Sequence, residues 1–464
     1  MKKRLIIVGL LSGLLFVSTT MAQNETKKSF SLKQAQEYAV KEAYAIKNAA
    51  FDVEMARKKV KEIVTIGLPQ VSGDASFQDY FNVPVMVMPN FLAPAVTGAL
   101  VANGVLPPSA MDQPANPAYI EAKFSTQYNT KFGLTASQLL FDGSYVVGVQ
   151  DSKIFVAMST QSLEKSEIET RENVAQTYYL VLVAKENEKI LETSLANLTK
   201  TLGETTQVQK NGFLEETDVD QLQLLVSNLN NTVSKIKRQS EVAMSLLKMQ
   251  MGIKLEENIE LTDSLSGILL QTGAEDLLSK KLDVKKHIDY QIISTTETLK
   301  QLNLRKERYG YLPSLAAFYS YSKTASASEL TLDTWYPTSL LGVSLKVPIF
   351  NSGQKMYRVQ QAKLDVLKTQ NLQTQVEEGL KLEVISEKSN YSNALETFKK
   401  EEDNMVLAKK IYDRTLIKYN EGIVGSMDLT QAHNQYLTSQ TSYFSAVFEL
   451  LNSKSKLNKA LNNY

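Results

Sequence analysis

Two glycines in long polar stretches each stand six residues ahead of an aspartate: Gly212 before Asp218 in KNGFLEETDVDQLQ (210–223), and Gly422 before Asp428 in YNEGIVGSMDLTQA (419–432). A glycine at such a place ends one helix. An acid in the first turn of the next accepts free backbone N–H groups and meets the positive end of the helix dipole. Repeated around a symmetry axis, the same acids would form rings of like charge that attract cations and resist anions. A second ring one turn deeper would need acids where Gln221 and Gln431 stand, so any such preference is expected to be weak.

Other residues able to do chemistry are sparse. The two histidines, His287 and His433, sit apart from any carboxylate cluster at ligand spacing, and there is no cysteine. Neither a zinc site nor a thiol site is expected. His433, on a seam helix, reads as a packing or surface residue. No phosphate-cradling glycine loop, nucleophile elbow or paired-acid motif appears, so no cofactor, metal or catalytic residue is expected, and the chain does not read as an enzyme. The run Lys399-Lys400-Glu401-Glu402-Asp403 is most simply a solvated helix face.

The elements that must position these groups follow from pattern. In a chain of 464 residues, Lys2, Lys3 and Arg4 precede an apolar run Leu5 to Val17 and a small-residue cleavage site at Thr20-Met21-Ala22. Residues 1–22 are therefore read as a secretory signal peptide. Without its three cations, 48 Lys+Arg face 50 acids, a net charge of about −2. Nothing pulls such a chain toward nucleic acid. The cleavage point offers no cysteine for acylation, and no later stretch supplies the ~20 apolar residues of a spanning helix. Membrane contact would have to use strands or an amphipathic surface.

The chain is internally duplicated. LPQVSGDASF (68–77) answers to LPSLAAFYSY (312–321), FGLTASQLLFDGSYVVGVQ (132–150) to LGVSLKVPIFNSGQKMYRVQ (341–360), and the two glycine turns follow. The offset falls from 244 at the first pair to 209–210 afterwards, which locates an insertion of about 35 residues in the first half. The predicted organisation is a first repeat over 23–251, a connecting segment over 252–283 and a second repeat over 284–464. Each repeat runs helix, strand, loop, strand, very long helix, glycine turn, helix. Helices are predicted at 32–64, 144–210, 216–250, 284–309, 353–420 and 427–461. The two longest would each reach roughly 100 Å, which implies coiled-coil packing.

Heptads support that packing. Val384, Tyr391, Phe398, Met405, Tyr412 and Tyr419 fall seven apart, as do Leu429, Tyr436, Tyr443, Leu450 and Leu457. Val219, Leu222, Val226, Leu229, Val233, Ile236, Ala243 and Leu247 hold the seam positions of the first copy, interrupted at Ser240. The small row Ala432, Ser439, Ala446, Ser453 and Ala460 would let a neighbouring backbone approach.

Between the helices come alternating strands. KFSTQYNTKFGLTAS (123–137) places Phe124, Tyr128, Phe132, Leu134 and Ala136 on one face and Lys123, Ser125, Gln127, Asn129 and Lys131 on the other. This is the pattern of a barrel strand with lipid on one side and water on the other. Strand 313–322 aims Tyr319 and Tyr321 the same way, strand 338–347 aims Val343 and Leu345, and 70–81 is a weaker fourth. Four strands cannot close a barrel, so several chains must share one wall. The segment 82–120, with seven of the eleven prolines and the apolar run FLAPAVTGALVANGVLPP, is read as a long outer loop, disordered or folded over the mouth.

With a signal peptide, a duplicated helix–hairpin–helix unit and a Gly-x5-Asp turn in each copy, the chain resembles the TolC family of outer-membrane efflux proteins. The resemblance spans nearly all of 30–461 and is strongest at PIFNSGQKMYRVQQA (348–362) and YNEGIVGSMDLTQA (419–432). It implies a mainly α fold with membrane β: a homotrimer sharing a twelve-stranded β-barrel in the outer membrane and a twelve-helix α-barrel across the periplasm. It further implies docking of a periplasmic adaptor and an inner-membrane pump at the tip, where Gly212, Asp218, Gly422, Gly425 and Asp428 would lie. Many relatives carry an acylated N-terminal cysteine that this chain lacks. The expected function is a passive export duct of a tripartite efflux or type I secretion system. The competing expectation is a secreted coiled-coil spacer or adhesin-like protein with decorative hairpins.

Overall fold

The computed structural model of the chain describes residues 28–114, 117–270, 274–330 and 333–463; the predicted signal peptide lies outside them. In chain order the elements begin with β1 (Lys28–Phe30), α1 (Leu32–Glu42), α2 (Tyr44–Thr65), β2 (Gln70–Asp79), β3 (Val85–Pro89), α3 (Leu92–Ala102), β4 (Tyr119–Lys123) and β5 (Tyr128–Asp142). The 68-residue α4 (Gly143–Lys210) and the 36-residue α5 (Glu216–Met251) complete the first copy. A connecting stretch holds β6 (Ile259–Leu261), α6 (Leu265–Leu270) and α7 (Ala274–Ser279). The second copy follows as α8 (Ile288–Tyr309), β7 (Ser314–Ala327), β8 (Tyr336–Lys346), α9 (Gln354–Asn420) and α10 (Ser426–Ala460). At 67 and 35 residues, α9 and α10 match α4 and α5 almost turn for turn.

Three expectations are corrected. The first predicted helix is two helices, α1 and α2, because Ala43 turns extended at ψ 140° although neither proline nor glycine lies nearby. The break is tertiary: the Gly252 backbone lies against Glu42 and Ala43 so closely that a Cβ at 252 would collide with the Glu42 carbonyl. The predicted strand 123–137 is also split, since β4 ends at Lys123 and β5 starts at Tyr128, and Phe124 falls in the link between them. Finally, the segment 82–120 is not a structureless loop. It forms the β3–β4 hairpin, paired from Val85↔Lys123 to Pro89↔Tyr119, around α3 and a 3-10 turn at Pro108–Asp112. Pro94 is tolerated because it lies in the first turn of α3, where its missing N–H has no helical partner to lose.

The chain forms two compact units, each drawing on both repeats. The first takes the chain to Lys47, Glu167–Lys281 and Val384 onward. Its core is the heptad seam made solid: Leu198, Leu222, Leu229, Leu429, Leu450 and Leu457 are essentially fully buried, and Ser240, the interruption in the α5 seam, is buried among them. Removing such leucine side chains from water supplies ~2 kcal/mol each. The unit begins with a capping box on α1, in which Gln34 N–H donates to the Ser31 hydroxyl and Ser31 N–H to the Gln34 side chain. Parallel strands β1 and β6 are pinned beside it. Leu32 N–H donates to Asp263 at 2.7 Å, and the buried Tyr178 hydroxyl lies 3.0 Å from the same carboxylate oxygen.

The second unit spans Asn48–Ser166 and Leu282–Glu383. It contains one antiparallel sheet in the order β2-β5-β7-β8, with β2 and β8 as unpaired edges. Its helical part is tied by Lys165 to Asp289 at 2.7 Å and by Tyr145, whose hydroxyl donates to the Val64 carbonyl at 2.9 Å.

Candidate functional site

The sheet's register settles which side chains share a face, because directly paired residues of an antiparallel ladder point the same way. Ala75 pairs with Phe132 and Gly73 with Leu134. Leu134 pairs with Tyr321, and Ala136 with Tyr319. Tyr319 in turn pairs with Leu341, Ala317 with Val343 and Leu315 with Leu345. One apolar face thus crosses all four strands. It is bare in the single chain, with Leu341, Val343 and Leu345 retaining 76%, 65% and 63% of their accessible surface. The opposite face carries Ser72, Asp74, Lys131, Thr135, Ser320 and Thr324, including a Thr135–Ser320 hydrogen bond at 3.2 Å and a Lys131–Asp74 pair at 3.9 Å. At the end away from the long helices, Phe77 stacks on Tyr128 at 6.2 Å, and Phe132 lies 5.3 Å from the single tryptophan, Trp335.

Alternation alone misses one residue of this face. A bulge between Leu139 and Phe141 shifts the pairing so that Phe141 sits opposite Leu315. By parity Phe141 would belong to the polar side, and the extra residue re-aims it. No helix among the described residues is long and apolar enough to cross a membrane.

The two glycine turns come together within the first unit. Gly212 and Gly422 adopt φ +82° and +71°, the left-handed conformation that a Cβ disfavours. Each closes a Schellman motif: Gly212 N–H donates to the Gln209 carbonyl and Phe213 N–H to Val208, while Gly422 N–H donates to Tyr419 and Ile423 N–H to Lys418. Glu215 and Gly425 are the N-caps of α5 and α10; the Glu215 side chain makes no cap hydrogen bond, and glycine has no side chain to make one.

Here the paired aspartates part company. Asp218 and Asp428 both occupy the third position of their helices, but Asp218 does not cap its own. Its Oδ1 accepts from the Ser426 hydroxyl at 2.5 Å and from Ser426 N–H at 3.4 Å, so it caps α10 across the hairpins. The Gln221 side-chain oxygen lies 2.7 Å from the same hydroxyl, whose single proton Asp218 and Gln221 share. Asp428 and Gln431 are exposed. The residues that acquire a role in this way, Ser426 and Gln221, sit about half the chain apart. The turns enclose a cavity of about 680 Å³ lined by Phe213, Asp218, Ile423 and Val424 among others, and Phe213, Ile423 and Met427 stand out from the surface.

Deeper in the same unit His433 is fully buried, with Nε2 3.2 Å from the Ser194 hydroxyl and its ring edge-on to Tyr412. Burial lowers its pKa to about 4, so it is neutral at ordinary pH, and it pushes the Tyr412 hydroxyl up to about 12. Of the packing and surface roles expected for His433, the packing one is found. His287 is also buried and accepts Asp289 N–H, capping α8, which starts four residues later than predicted. No group of three or more His, Asp or Glu side chains poised for a metal occurs among the described residues.

An open sheet with one lipid-compatible face, carried on long antiparallel coiled-coil helices that reverse at glycine turns, defines the class of outer-membrane channel-tunnels. The family model for "Outer membrane efflux protein" matches residues 37–252 and 300–463, and the chain belongs to that family. Its function is that of an outer-membrane efflux channel, and its place is the outer membrane with extension into the periplasm. The fold is shared with several solved structures. The Campylobacter jejuni CmeC outer membrane channel is 18% identical with a TM-score of 0.65, over 93% of this chain and 85% of that one. The Neisseria gonorrhoeae MtrE channel in its open state is 15% identical at 0.64, covering 93% and 88%. The Vibrio cholerae outer membrane protein VceC is 12% identical at 0.63, covering 93% and 95%. No curated protein matches the chain.

Proposed function

We propose that three copies of this chain share one twelve-stranded barrel and form a passive duct that receives cargo at the glycine turns from an inner-membrane pump and its periplasmic adaptor. The observation that carries this is the four-stranded sheet whose apolar face is bare and whose edges β2 and β8 are unpaired. In lipid each unpaired backbone group costs several kcal/mol, so the edges must meet those of other copies. In this reading Tyr128, Phe132, Tyr319, Tyr321, Val343 and Leu345 face lipid and the Asp74–Lys131 face lines water. Phe124, in the link before β5, is placed at the outer rim and not in the wall.

The turns are the docking tip. Phe213, Ile423 and Met427 offer apolar anchors beside Gly212, Gly422 and Gly425, while the exposed Asp428 of each copy adds a charge facing the entrance. Energy comes from the pump, since no nucleotide-binding motif is present in this chain. The assembly is tested by the mass of the detergent-solubilised protein and by single-channel recording after reconstitution. Trimer-sized particles that conduct are expected; a soluble, non-conducting monomer would overturn the proposal in favour of a coiled-coil spacer. Affinity purification from cross-linked envelopes is expected to recover an adaptor and an inner-membrane pump, and recovery of neither would remove the docking role.

A further inference from the structure

Lys323 is the one cation on the apolar face of the four-stranded sheet, between Tyr321 and Ala325 on β7 and directly opposite Phe132 on β5. Lys131 lies on the polar face and has Asp74 beside it, whereas no acceptor among the described residues pairs with Lys323. An unpaired ammonium on a lipid-facing wall is costly at mid-membrane and useful at its edge. Its height decides between these. All four strand–helix junctions lie at one end of the sheet, so the connections after Asp79 and after Ala327 mark the outer end. From Leu315 to Lys323 is eight residues, which at a rise of about 3.4 Å and a tilt of about 40° is a climb of about 21 Å. An outer-membrane apolar band is ~25 Å tall, and a lysine stem snorkels further outward. The ammonium therefore sits at the outer headgroup level.

Beneath it the wall is dented. Gly73 and Ala75 on edge strand β2 leave little side chain opposite Leu134 and Phe132, and a depression of about 590 Å³ opens there, bounded by Phe132, Leu134 and Tyr321 and reaching Lys323 and Trp335. Trp335, entering β8, contacts Phe132 two strands away and so spans β7 at the level of Lys323. A cation above an apolar trough, beside an interfacial tryptophan, matches one molecule in charge and shape. We propose that this depression binds a single phosphorylated lipid of the outer leaflet, its phosphate on the Lys323 ammonium and an acyl chain in the trough over Gly73 and Ala75.

The site rests on the reading of the sheet as a membrane wall, and the experiment separates the two. The full chain is placed in phosphatidylcholine nanodiscs doped with increasing bisphosphorylated lipid A, and emission is followed from Trp335, the only tryptophan in the sequence. A saturable emission change is expected, with half-saturation raised roughly tenfold in Lys323→Gln, the loss of one charge-assisted contact. Gly73→Leu, whose Cβ would make only ordinary contact with Leu134 at 3.4 Å, fills the trough and raises half-saturation while leaving Lys323 in place. Equal responses from wild type and Lys323→Gln, an equal response to dephosphorylated lipid A, or full reproduction by inorganic phosphate would each overturn the lipid site. Parallel bilayer recordings report on the wall: a conducting chain without the lipid response sinks only this site, and a chain that neither inserts nor conducts sinks the wall reading beneath it.

Discussion

The Asp218–Ser426 contact ties the start of α10 to the neighbouring hairpin, and its removal has a calculable local consequence. Asp218→Ala deletes the acceptor of the Ser426 hydroxyl, at 2.5 Å, and leaves Ser426 N–H without its 3.4 Å partner. A hydrogen bond to a charged group contributes ~1.5–3 kcal/mol, and because Asp218 is only half-buried the lower part of that range, about 2 kcal/mol, applies. Local opening of the turn should then become roughly thirtyfold more frequent. Amide hydrogen exchange by mass spectrometry reads this directly, with faster exchange expected in peptides covering 418–430 and none in the seam at 384–400. Ser426→Ala keeps the carboxylate near the helix dipole and should accelerate exchange about fivefold. The double variant should resemble Asp218→Ala alone, because both changes remove one contact. Exchange at 418–430 that changes less than threefold, or that rises equally along α9, would refute the cross-hairpin cap.

Other consequences follow from the same geometry. Asp428→Asn should move the reversal potential in a salt gradient toward zero, with a smaller effect at about 1 M than at about 0.1 M salt as the screening length falls from ~10 to ~3 Å; an unchanged potential at low salt would remove Asp428 from the conduction path. His433 is neutral when folded, with a pKa of about 4 against 6.5 when exposed. The unfolded chain therefore gains the proton first, and stability is full above about pH 6.5 and falls by about 3 kcal/mol as pH drops to about 4. Melting of His433→Phe in detergent should lose that part of the acid dependence, and an identical pH profile would contradict the assignment. On the sheet, Leu341→Arg, at the level of Tyr319 midway between Leu315 and Lys323, places a charge near the middle of the apolar face and should cost ~2–4 kcal/mol of membrane stability, whereas Ser322→Arg on the other face should be tolerated. Heat resistance of the outer-membrane assembly distinguishes the two, and equal losses would reverse the assignment of faces.

Much of this architecture is legible in the residues themselves because its signals are periodic and local. The seven-residue rows of α9 and α10 become buried seams, with Tyr391, Leu429, Leu450 and Leu457 at or near zero exposure. The two-residue alternation of β5, β7 and β8 becomes one apolar face because pleat geometry converts parity into side. The duplication and the glycine turns are likewise chain-local, since a left-handed residue that ends a helix needs only its own backbone bonds. What sequence could not decide depended on partners far along the chain. Asp218 and Asp428 are equivalent in spacing, yet the first meets Ser426, 208 residues away, while the second faces solvent. The bulge that turns Phe141 to the apolar side is visible only against β7, and the break at Ala43 only against Gly252. The insertion read as a loop folds into β3, α3 and β4 because Val85 and Lys123, with more than thirty residues between them, pair across the hairpin. Periodicity determines which face of an element is apolar; tertiary pairing decides which element it meets, because that contact is made by residues no local window contains.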